Sequence, residues 1–542
     1  MEKRVLIAIA LSFLVLGFYP VILQKIYPNY KPGSGLYEKT AGKSRALETP
    51  GVTPAISSPS GTYAVDQDFT LRNDKFSLVL NKKGGVIREV SFFGYTDSET
   101  KAPLKILSDT SVVRSPGFLD IASSLSGLGK PAGVYEIQDE AGRVRLSAAS
   151  LDGKLKTTKL YSFENKKYHG RLTVRFQNTS DAPLEFYYCL YAGASLPPRH
   201  SIDEQYIEAN IFPAEEGKNQ IQHVKETKAG KTVQSRHFVD WVATKDRHFS
   251  IILKPVSKSA FKGLVQGLGS HRFDVSLLSE KVSLPPGGWL ESEFLMYIGP
   301  NEIEELLPLG LDPLVNFGKL DMIGKALVGG LELLHSVFKN YGLSIILLTF
   351  LINLLLFPLT RAGYMSMKRM QVIQPQMAKV REHNKKNPEK MNREMMELYK
   401  KHKVNPFGGC FPMLLQMPVF IALYVALSKS VILVNSHFLW VNDLSSPDSV
   451  YLPVSLPFLG NKIHVLPLVM VAAMVIQQKF TQIKMEGQDP AMETQQKMMA
   501  LMMPVIFGFI FYSMPSGLVL YWLTNTILMS LYQLHLKKVT LT

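Results

Sequence analysis

The pattern of apolar and polar positions divides the chain into unlike parts. A charge-free run from Val5 to Leu23 follows Glu2, Lys3 and Arg4, and its length of about 19 residues matches the hydrocarbon core of a bilayer. Residues 68–300 show short alternating runs broken by turn residues, and later apolar residues recur at helical spacing or merge into long runs. The pattern predicts a polytopic α-helical membrane protein with a large extracytoplasmic antiparallel β-sandwich.

The same changes of pattern mark domain boundaries. We predict a signal-anchor transmembrane helix at 1–23, a flexible linker at 24–67, the β-sandwich at 68–300, an interfacial amphipathic region at 301–340 and a helical core at 341–542. The linker is rich in Pro, Gly, Ser and Thr, which is typical of a tether. A cleaved signal peptide is the alternative for the first segment, but residues 17–21 offer no small-residue cleavage site.

The apolar runs predict six transmembrane helices. Five follow the anchor, at 341–359, 407–427, 463–478, 498–514 and 516–536. Residues 430–459 are also apolar, but Asn, Asp and Pro interrupt them, and we expect an extracytoplasmic hairpin that touches the membrane interface. Residues 514–517 leave room only for a tight turn between the last two spans. An even number of spans places both termini on one side.

Basic residues are concentrated in one segment between two spans. Residues 361–406 hold twelve Lys and Arg against four acidic residues, and so carry +8 of the net charge of +15. Such loops stay cytoplasmic. The segment predicts a helical hairpin. Its first helix spans 365–383, where Pro375 is able to introduce a kink, and its second helix is capped by Asn387 and ends near Lys403. The anionic inner leaflet and ribosomal RNA are the surfaces that it suits.

The sequence contains few residues arranged for chemistry. Cys189 and Cys410 are the only cysteines, so no disulfide framework or CxxC motif exists, and we expect Cys189 to be a small buried side chain. GxSxG, HExxH and phosphate-binding motifs are absent. Asp203 and Glu204 are adjacent and would point to opposite faces of a strand. We predict no catalytic residue, metal or cofactor; a sugar-binding cleft on the sandwich stays open as an alternative.

The C-terminal part carries a chain of short motifs in a fixed order. They are Pro358-Leu359-Thr360, Gln374-Pro375, Lys403-Val404-Asn405-Pro406-Phe407-Gly408-Gly409-Cys410-Phe411-Pro412, Gln416-Met417-Pro418-Val419-Phe420, Asp489-Pro490, Gln495-Gln496-Lys497 and Pro515-Ser516-Gly517-Leu518-Val519-Leu520-Tyr521. With them the chain resembles the YidC/Oxa/Alb family of membrane protein insertases, in its Gram-negative form with a large periplasmic domain. The resemblance covers the last 230 or so residues by motif, and the sandwich by arrangement and length only.

The resemblance implies a non-enzymatic insertase and folding chaperone of the inner membrane. Five spans would enclose a hydrophilic groove that receives the polar part of a nascent membrane protein while its apolar segment enters the phospholipid bilayer. The partners it implies are the ribosome and the Sec translocon, with insertion alone or beside that translocon and without a nucleotide. The periplasmic sandwich would have a galactose-mutarotase-like fold without that activity. The even number of spans, together with Lys537 and Lys538 after the last one, predicts that both termini are cytoplasmic.

One position departs from the family pattern. The family places an arginine in the groove five residues before the Pro of the Pro-Leu-Thr motif, where this chain has Asn353. Arg361 lies at the cytoplasmic end and is interpreted as a positive-inside anchor. Asparagine can hydrogen-bond a substrate but brings no charge, and an interhelical hydrogen bond is its alternative role. The other predicted groove residues are Thr349, Gln416, Thr524 and Asn525.

The resemblance also implies an apolar slide for the entering segment. The predicted slide residues are Met417, Phe420, Ile510, Tyr521 and Trp522, and for the aromatic ones ordinary packing or an interfacial belt is the alternative. Nineteen of the 22 methionines follow Arg361. Flexible, polarizable side chains suit many unrelated apolar partners, and cytoplasmic core packing is the alternative.

Two other classes of protein account for less of the sequence. Secondary transporters usually show internal repeats and acidic residues near the midplane, whereas the predicted spans contain no Asp or Glu and no repeat. A membrane-anchored enzyme acting on glycans through the sandwich would leave the five later spans and the basic hairpin unexplained.

Overall fold

The computed structural model describes residues 68–97, 100–107, 115–123, 134–140, 142–150, 152–199, 201–214, 221–225, 228–256, 261–269, 272–317, 320–384, 387–402, 411–456, 460–481 and 490–538. The predicted anchor at 1–23, the linker at 24–67 and the motif residues 403–410 lie outside the described residues. The chain divides into two compact units, whose described parts are residues 68–316 and residues 317–538.

Antiparallel strands build the first unit. They are β1 (Asp68–Arg72), β2 (Phe76–Asn81), β3 (Val86–Thr96), β4 (Pro103–Leu107), β5 (Leu119–Ser123), β6 (Glu136–Asp139), β7 (Arg143–Ala149), β8 (Leu155–Phe163), β9 (His169–Asn178), β10 (Leu184–Ala194), β11 (Glu208–Pro213), β12 (Gln222–Val224), β13 (Thr232–Lys245), β14 (Phe249–Pro255), β15 (Phe261–Gly269), β16 (Arg272–Ser279), β17 (Val282–Leu284) and β18 (Trp289–Pro300).

The strands form two sheets. Strands β1 to β4 make a four-stranded sheet in chain order, and the larger sheet follows the order β17-β10-β16-β15-β13-β14-β18-β9-β8-β7-β6, with β11 and β12 attached at β13 and β5 at β10. Strand β9 shows the alternation that predicted this arrangement, because Leu172, Val174 and Phe176 are fully buried while Arg171 and Arg175 are exposed. The antiparallel β-rich character of this unit is confirmed.

The two sheets pack through aromatic side chains. The Phe92 ring of β3 stacks on Phe249 of β14 with centroids 5.0 Å apart, and Phe76 of β2 meets Phe163 of β8 edge-on at 5.4 Å. These rings fill the space between the sheets, so burial of large apolar surface joins them.

A buried lysine also links the sheets. Lys159 of β8 donates from Nζ to the carbonyl oxygens of Gly84 at 2.7 Å, Gly85 at 3.2 Å and Gly117 at 2.8 Å. Gly85 has φ +57° in the β2–β3 turn, where the sequence predicted a break, and a Cβ there would lie 3.2 Å from the Tyr135 ring. Burial lowers the pKa of Lys159 to about 7.

We expect the β-rich unit to become more stable as the pH rises from about 7 to 10.5. The folded state releases the Lys159 proton near the lower value, whereas an unfolded lysine holds it to about the upper one, so the unfolded state binds more protons across this window. Chemical denaturation followed by Trp241 fluorescence measures this rise. Lys159→Met should flatten it, and Lys156→Met, exposed on the same strand, should not; an equal slope in both variants would contradict the assignment.

The predicted interfacial region at 301–340 is divided between the two units. Its first part, residues 301–316, belongs to the β-rich unit. These residues form a short helix α1 (Ile303–Leu306) and two 3-10 turns. Leu306 and Leu311 are fully buried, and Lys245 donates from Nζ to the Leu314 carbonyl at 3.0 Å. We predicted a single region for residues 301–340 because both of its parts show apolar residues at helical spacing.

Helices build the second unit. They are α2 (Asp321–Phe338), α3 (Tyr341–His383), α4 (Pro388–Lys401), α5 (Phe411–Lys429), α6 (Val465–Thr481), α7 (Pro490–Tyr512) and α8 (Ser516–Lys538). A hairpin of β19 (Val450–Leu456) and β20 (Gly460–Ile463) precedes α6. Helix α8 packs against α3, α5 and α6, so it lies at the centre of the bundle.

The helix bounds differ from the predicted spans in several places. Helix α3 does not stop at 359; it is one helix of 43 residues that contains Pro358 and Pro375, so the first helix of the predicted hairpin is its continuation. A proline removes one backbone hydrogen bond, and the rest of a long helix is able to retain its path. Ile463 ends β20 instead of starting a span, and α7 begins eight residues before 498.

One helix among the described residues is long and apolar enough to cross a membrane by composition. It is the Tyr341–Met370 part of α3, and shorter apolar stretches occur at Gln416–Lys429, Val465–Gln478 and Met502–Tyr512. The number of spans therefore stays a prediction.

Candidate groove between helices α3, α5 and α8

Two asparagines connect α3 to α8. Asn353 donates from Nδ2 to Asn525 Oδ1 at 3.0 Å and to the Thr349 carbonyl at 2.8 Å. Both asparagines are partly exposed, and the stretch of α3 from 341 to 360 contains no charged residue. The alternative role of Asn353, an interhelical hydrogen bond, is therefore present in the structure, and it is made to another predicted groove residue.

A second polar contact connects α5 to α8. Gln416 donates from Nε2 to the Tyr521 hydroxyl at 2.6 Å. Tyr521 and Asn525 are four residues apart, so they lie on the same face of α8. The two interhelical contacts thus meet on one face of the central helix, and four of the five predicted groove residues, Asn353, Gln416, Thr524 and Asn525, are partly exposed.

Thr349 occupies a different environment from the other groove residues. Its side chain is fully buried, and its hydroxyl donates to the Ile345 carbonyl at 2.6 Å. Thr524 makes the same kind of bond to Leu520 at 2.7 Å but is partly exposed. Hydroxyls bonded to their own helix leave little polarity for a substrate, so the amides of the groove are its main polar groups.

The predicted slide residues divide between surface and core. Met417 is 39% exposed and Ile510 is 45% exposed, whereas Phe420 and Trp522 are partly buried. Tyr521 differs from the prediction because it is 1% exposed and its hydroxyl accepts from Gln416. In this position the Tyr521 side chain packs within the bundle, which matches the alternative of ordinary packing.

Two phenylalanines that sequence reasoning did not single out complete this surface. Phe507 and Phe511 lie one turn apart on α7, with ring centroids 5.1 and 5.3 Å from the Trp522 ring, and Phe420 meets Trp522 at 4.9 Å. The spacing of four residues between Phe507 and Phe511 was the available signal. These large rings in mutual contact form one apolar cluster shared by α5, α7 and α8.

The described part of residues 430–464, here called the end segment, makes hydrogen bonds to the starts of three helices. Asp448 Oδ2 accepts from the backbone N–H groups of Val465 at 2.8 Å and Leu466 at 2.9 Å. The Ser446 carbonyl accepts from Ser516 N at 2.9 Å and Oγ at 2.7 Å. Asn340, which caps α3, donates from Nδ2 to the His437 carbonyl at 3.4 Å. Helices α3, α6 and α8 therefore begin at one end of the bundle.

The basic hairpin packs α4 against the far part of α3. Asn387 caps α4 by accepting from Lys390 N, with Pro388 in the first turn, as the sequence predicted. Asn384 donates to Glu394 Oε2 at 2.7 Å, and Met395 is 9% exposed. Helix α4 ends at Lys401, while residue 403 lies outside the described residues.

The β-rich unit offers little for catalysis in its described part. Within those residues no group of three or more His, Cys, Asp or Glu side chains is placed to bind a metal ion. Cys189 is 4% exposed, and burial raises the pKa of its thiol to about 12. The prediction of a small buried side chain at Cys189 is confirmed.

Comparisons with known proteins define the class. The family described as "60Kd inner membrane protein" matches residues 333–541, and "YidC periplasmic domain" matches residues 68–329. These matches define an inner membrane protein with a periplasmic domain.

Full-length relatives then identify the family. Membrane protein insertase YidC of Syntrophus aciditrophicus is 30% identical, covering 99% of this chain and 100% of the relative, and that of Geobacter sp. strain M21 is 33% identical with 99% of both chains covered. An active YidC insertase crystal structure aligns over 89% of this chain and 95% of its own, with 18% identity and a TM-score of 0.37. The chain belongs to the YidC family of membrane protein insertases, a non-enzymatic class, which confirms the resemblance seen in the sequence motifs.

Proposed function

We propose that this chain inserts nascent membrane proteins into the inner membrane through the groove between α3, α5 and α8, alone or beside the Sec translocon. The observation that carries this proposal is the Asn353–Asn525 hydrogen bond, because it places two amides, both partly exposed, between apolar helices. Family membership supports the class of substrate, and the groove residues support the route.

The polar side chains of the groove take the place of water as hydrogen-bond partners for the polar part of a substrate. An amide moved into an apolar medium without a hydrogen bond costs roughly 2–7 kcal/mol. Asn353 and Asn525 exchange their shared hydrogen bond, and Gln416 exchanges its bond to Tyr521, for bonds to the passing chain. Meanwhile Met417 and Ile510 present apolar surface to the segment that enters the lipid. No step requires a nucleotide.

Photocrosslinking tests this route. A crosslinker at Ile510 should capture a stalled nascent chain, as should one at Met417, while the same group at Phe509 should capture it several-fold less. Phe509 is 85% exposed and neighbours Ile510, but a helix turns by about 100° per residue, so the two side chains face different directions. Equal capture at Phe509 and Ile510 would argue against a defined route.

The topology proposal places both termini and the basic hairpin in the cytoplasm, with six spans and the β-rich unit in the periplasm. Helices α3, α6 and α8 start at one end, which supports alternating crossings by the five later spans. A cysteine replacing Lys390, whose side chain is 64% exposed, should react with an impermeant reagent only from the cytoplasmic side, and one replacing Val256 only from the periplasm. The reverse pattern would overturn this orientation.

The β-rich unit should matter less than the helical bundle. Replacing residues 68–316 by a flexible linker, with α2 retained, is expected to preserve most insertion, because the groove residues all lie in the other unit. A replacement ending near 280 would leave β18 without its partners β14 and β9 and expose an unpaired strand. Loss of insertion at a normal protein level would contradict the expectation.

The basic hairpin is the proposed docking surface for the ribosome. Helix α4 carries Lys390, Arg393, Lys400 and Lys401 and ends beside the continued part of α3. Clustered basic side chains attract phosphate-rich surfaces through a salt-dependent term. The apolar surface of the bundle, which includes Met417, is proposed to face either lipid or the Sec translocon.

A further inference from the structure

A tight turn in the end segment holds a leucine in a conformation that leucine rarely adopts. Phe438 and Val441 exchange two backbone hydrogen bonds of 2.9 Å, so Leu439 and Trp440 form a two-residue loop, here called the tip. Leu439 has φ +52°, in the left-handed region. A bulky apolar side chain there costs free energy that glycine or asparagine would avoid.

The base of this turn is firmly packed. Val441 is 2% exposed, and the Phe438 ring lies so close over Gly342 that a Cβ at that glycine would overlap it. The Trp440 indole N–H donates to Asp448 Oδ2 at 3.3 Å, the same oxygen that accepts from the first turn of α6. The turn is therefore fixed to the starts of α3 and α6.

The described residues of the helical unit leave the tip largely uncovered. Leu439 is 64% exposed, and Trp440 is 41% exposed although its N–H is bonded. In water this arrangement would combine backbone strain at Leu439 with exposed apolar surface at both residues. At the boundary of a bilayer both residues find a favourable environment, since tryptophan rings are enriched there and leucine is soluble in acyl chains.

We infer that Leu439 and Trp440 form an anchor that enters the outer-leaflet side of the lipid bilayer. The depth of this anchor in the bilayer follows from the contact of Phe438 with Gly342. Gly342 is the second residue of α3, and the apolar part of α3 that is long enough to span a membrane begins at Tyr341. The inference rests on the proposed crossing of the membrane by α3. The turn aims the two side chains into lipid, and Asp448 couples this anchor to the start of α6.

Spin-label accessibility in lipid nanodiscs tests the anchor with the full chain. A nitroxide is attached to Leu439→Cys in a Cys189→Ala, Cys410→Ala background, and its collisions with oxygen and with a water-soluble nickel chelate are compared. The oxygen-to-chelate ratio should be several-fold higher than at Val256→Cys, an exposed position of the β-rich unit. A ratio equal to that at Val256 would place the tip in water and overturn the inference.

A third label separates this inference from the proposed function. Phe350 lies on α3 and is 49% exposed. A nitroxide at Phe350→Cys should show a high oxygen-to-chelate ratio, here called a lipid ratio, if α3 crosses the membrane. A water-like ratio at Phe350 would refute the crossing itself, whereas a lipid ratio at Phe350 with a water-like ratio at Leu439 would refute the anchor alone. Protection of Leu439 from both reagents would mean that protein covers the tip, and would also refute a lipid contact.

Discussion

Replacing Asn353 by leucine should lower the rate of insertion about tenfold. The change leaves Asn525 without its interhelical partner and removes polarity from the groove. A polar group of the passing substrate that finds no partner in the groove costs about 1–3 kcal/mol, and about 1.4 kcal/mol corresponds to a factor of ten in rate. Insertion of a small single-span substrate into proteoliposomes measures the effect. Undiminished insertion by the leucine variant would remove this position from the proposed route.

A double variant distinguishes a groove from a simple helix contact. If the two asparagines serve only to join α3 to α8, Asn353→Leu with Asn525→Leu should recover insertion, because replacing both partners by apolar side chains is nearly neutral for stability. If the polarity serves the substrate, the double variant should stay as poor as the single ones. We expect the second result.

Thr349→Val provides the matched control for this pair. Thr349 lies one turn from Asn353 on the same helix, but it is fully buried and bonds only within its own helix. Removing its hydroxyl should change insertion little. A loss as large as that of Asn353→Leu would show that the assay reports general damage to α3.

Restoring the arginine that the family usually has should be tolerated. Asn353→Arg adds a charge whose cost at the centre of a span is about 2.5–3.5 kcal/mol on insertion scales, and partial exposure of the position reduces this cost. We expect similar insertion of substrates with neutral and with acidic tails, because in the proposed route hydration of the groove, and not charge attraction, is the main requirement. A marked gain for acidic tails alone would show that charge attraction is the essential step.

Removing the basic hairpin should abolish insertion while the bundle remains assembled. Deletion of 365–403 takes away the continuation of α3 and all of α4, which are the proposed receiving surface. The contacts that join α3, α5 and α8 through the groove residues lie outside the deleted part. Insertion and protease protection of the spans should be measured together; full complementation by the deletion would refute the role.

Two neighbouring methionines refine this second prediction. Met395 is 9% exposed and packs within the hairpin, while Met396 is 54% exposed. Met395→Asp should separate α4 from α3, because burying a charge without a partner costs free energy. Met396→Asp should leave the hairpin folded. If insertion falls in the second variant as well, the exposed apolar side chain itself contacts a partner.

The local features of this protein were determined by the sequence. The short alternating strands within residues 68–300, the Asn387 cap of α4 and the tight turn before Ser516 each depend on a few neighbouring residues, and each was predicted from them. Ordered motifs also identified the family. Such signals are short-range, since hydrogen bonds of caps and turns close within four residues and periodicity shows which face is buried.

The tertiary structure alone decided which distant side chains meet. Asn353 and Asn525 lie 172 positions apart, and no local pattern predicts that their amides share a hydrogen bond. For Tyr521 the sequence left a slide position and ordinary packing open, and helix packing places its side chain in the core. Helix α3 continues through Pro358 because the cost of one lost hydrogen bond is small beside the many that a helix of 43 residues retains. Contacts of this kind depend on how whole elements pack, and a single sequence does not encode that packing in any one segment.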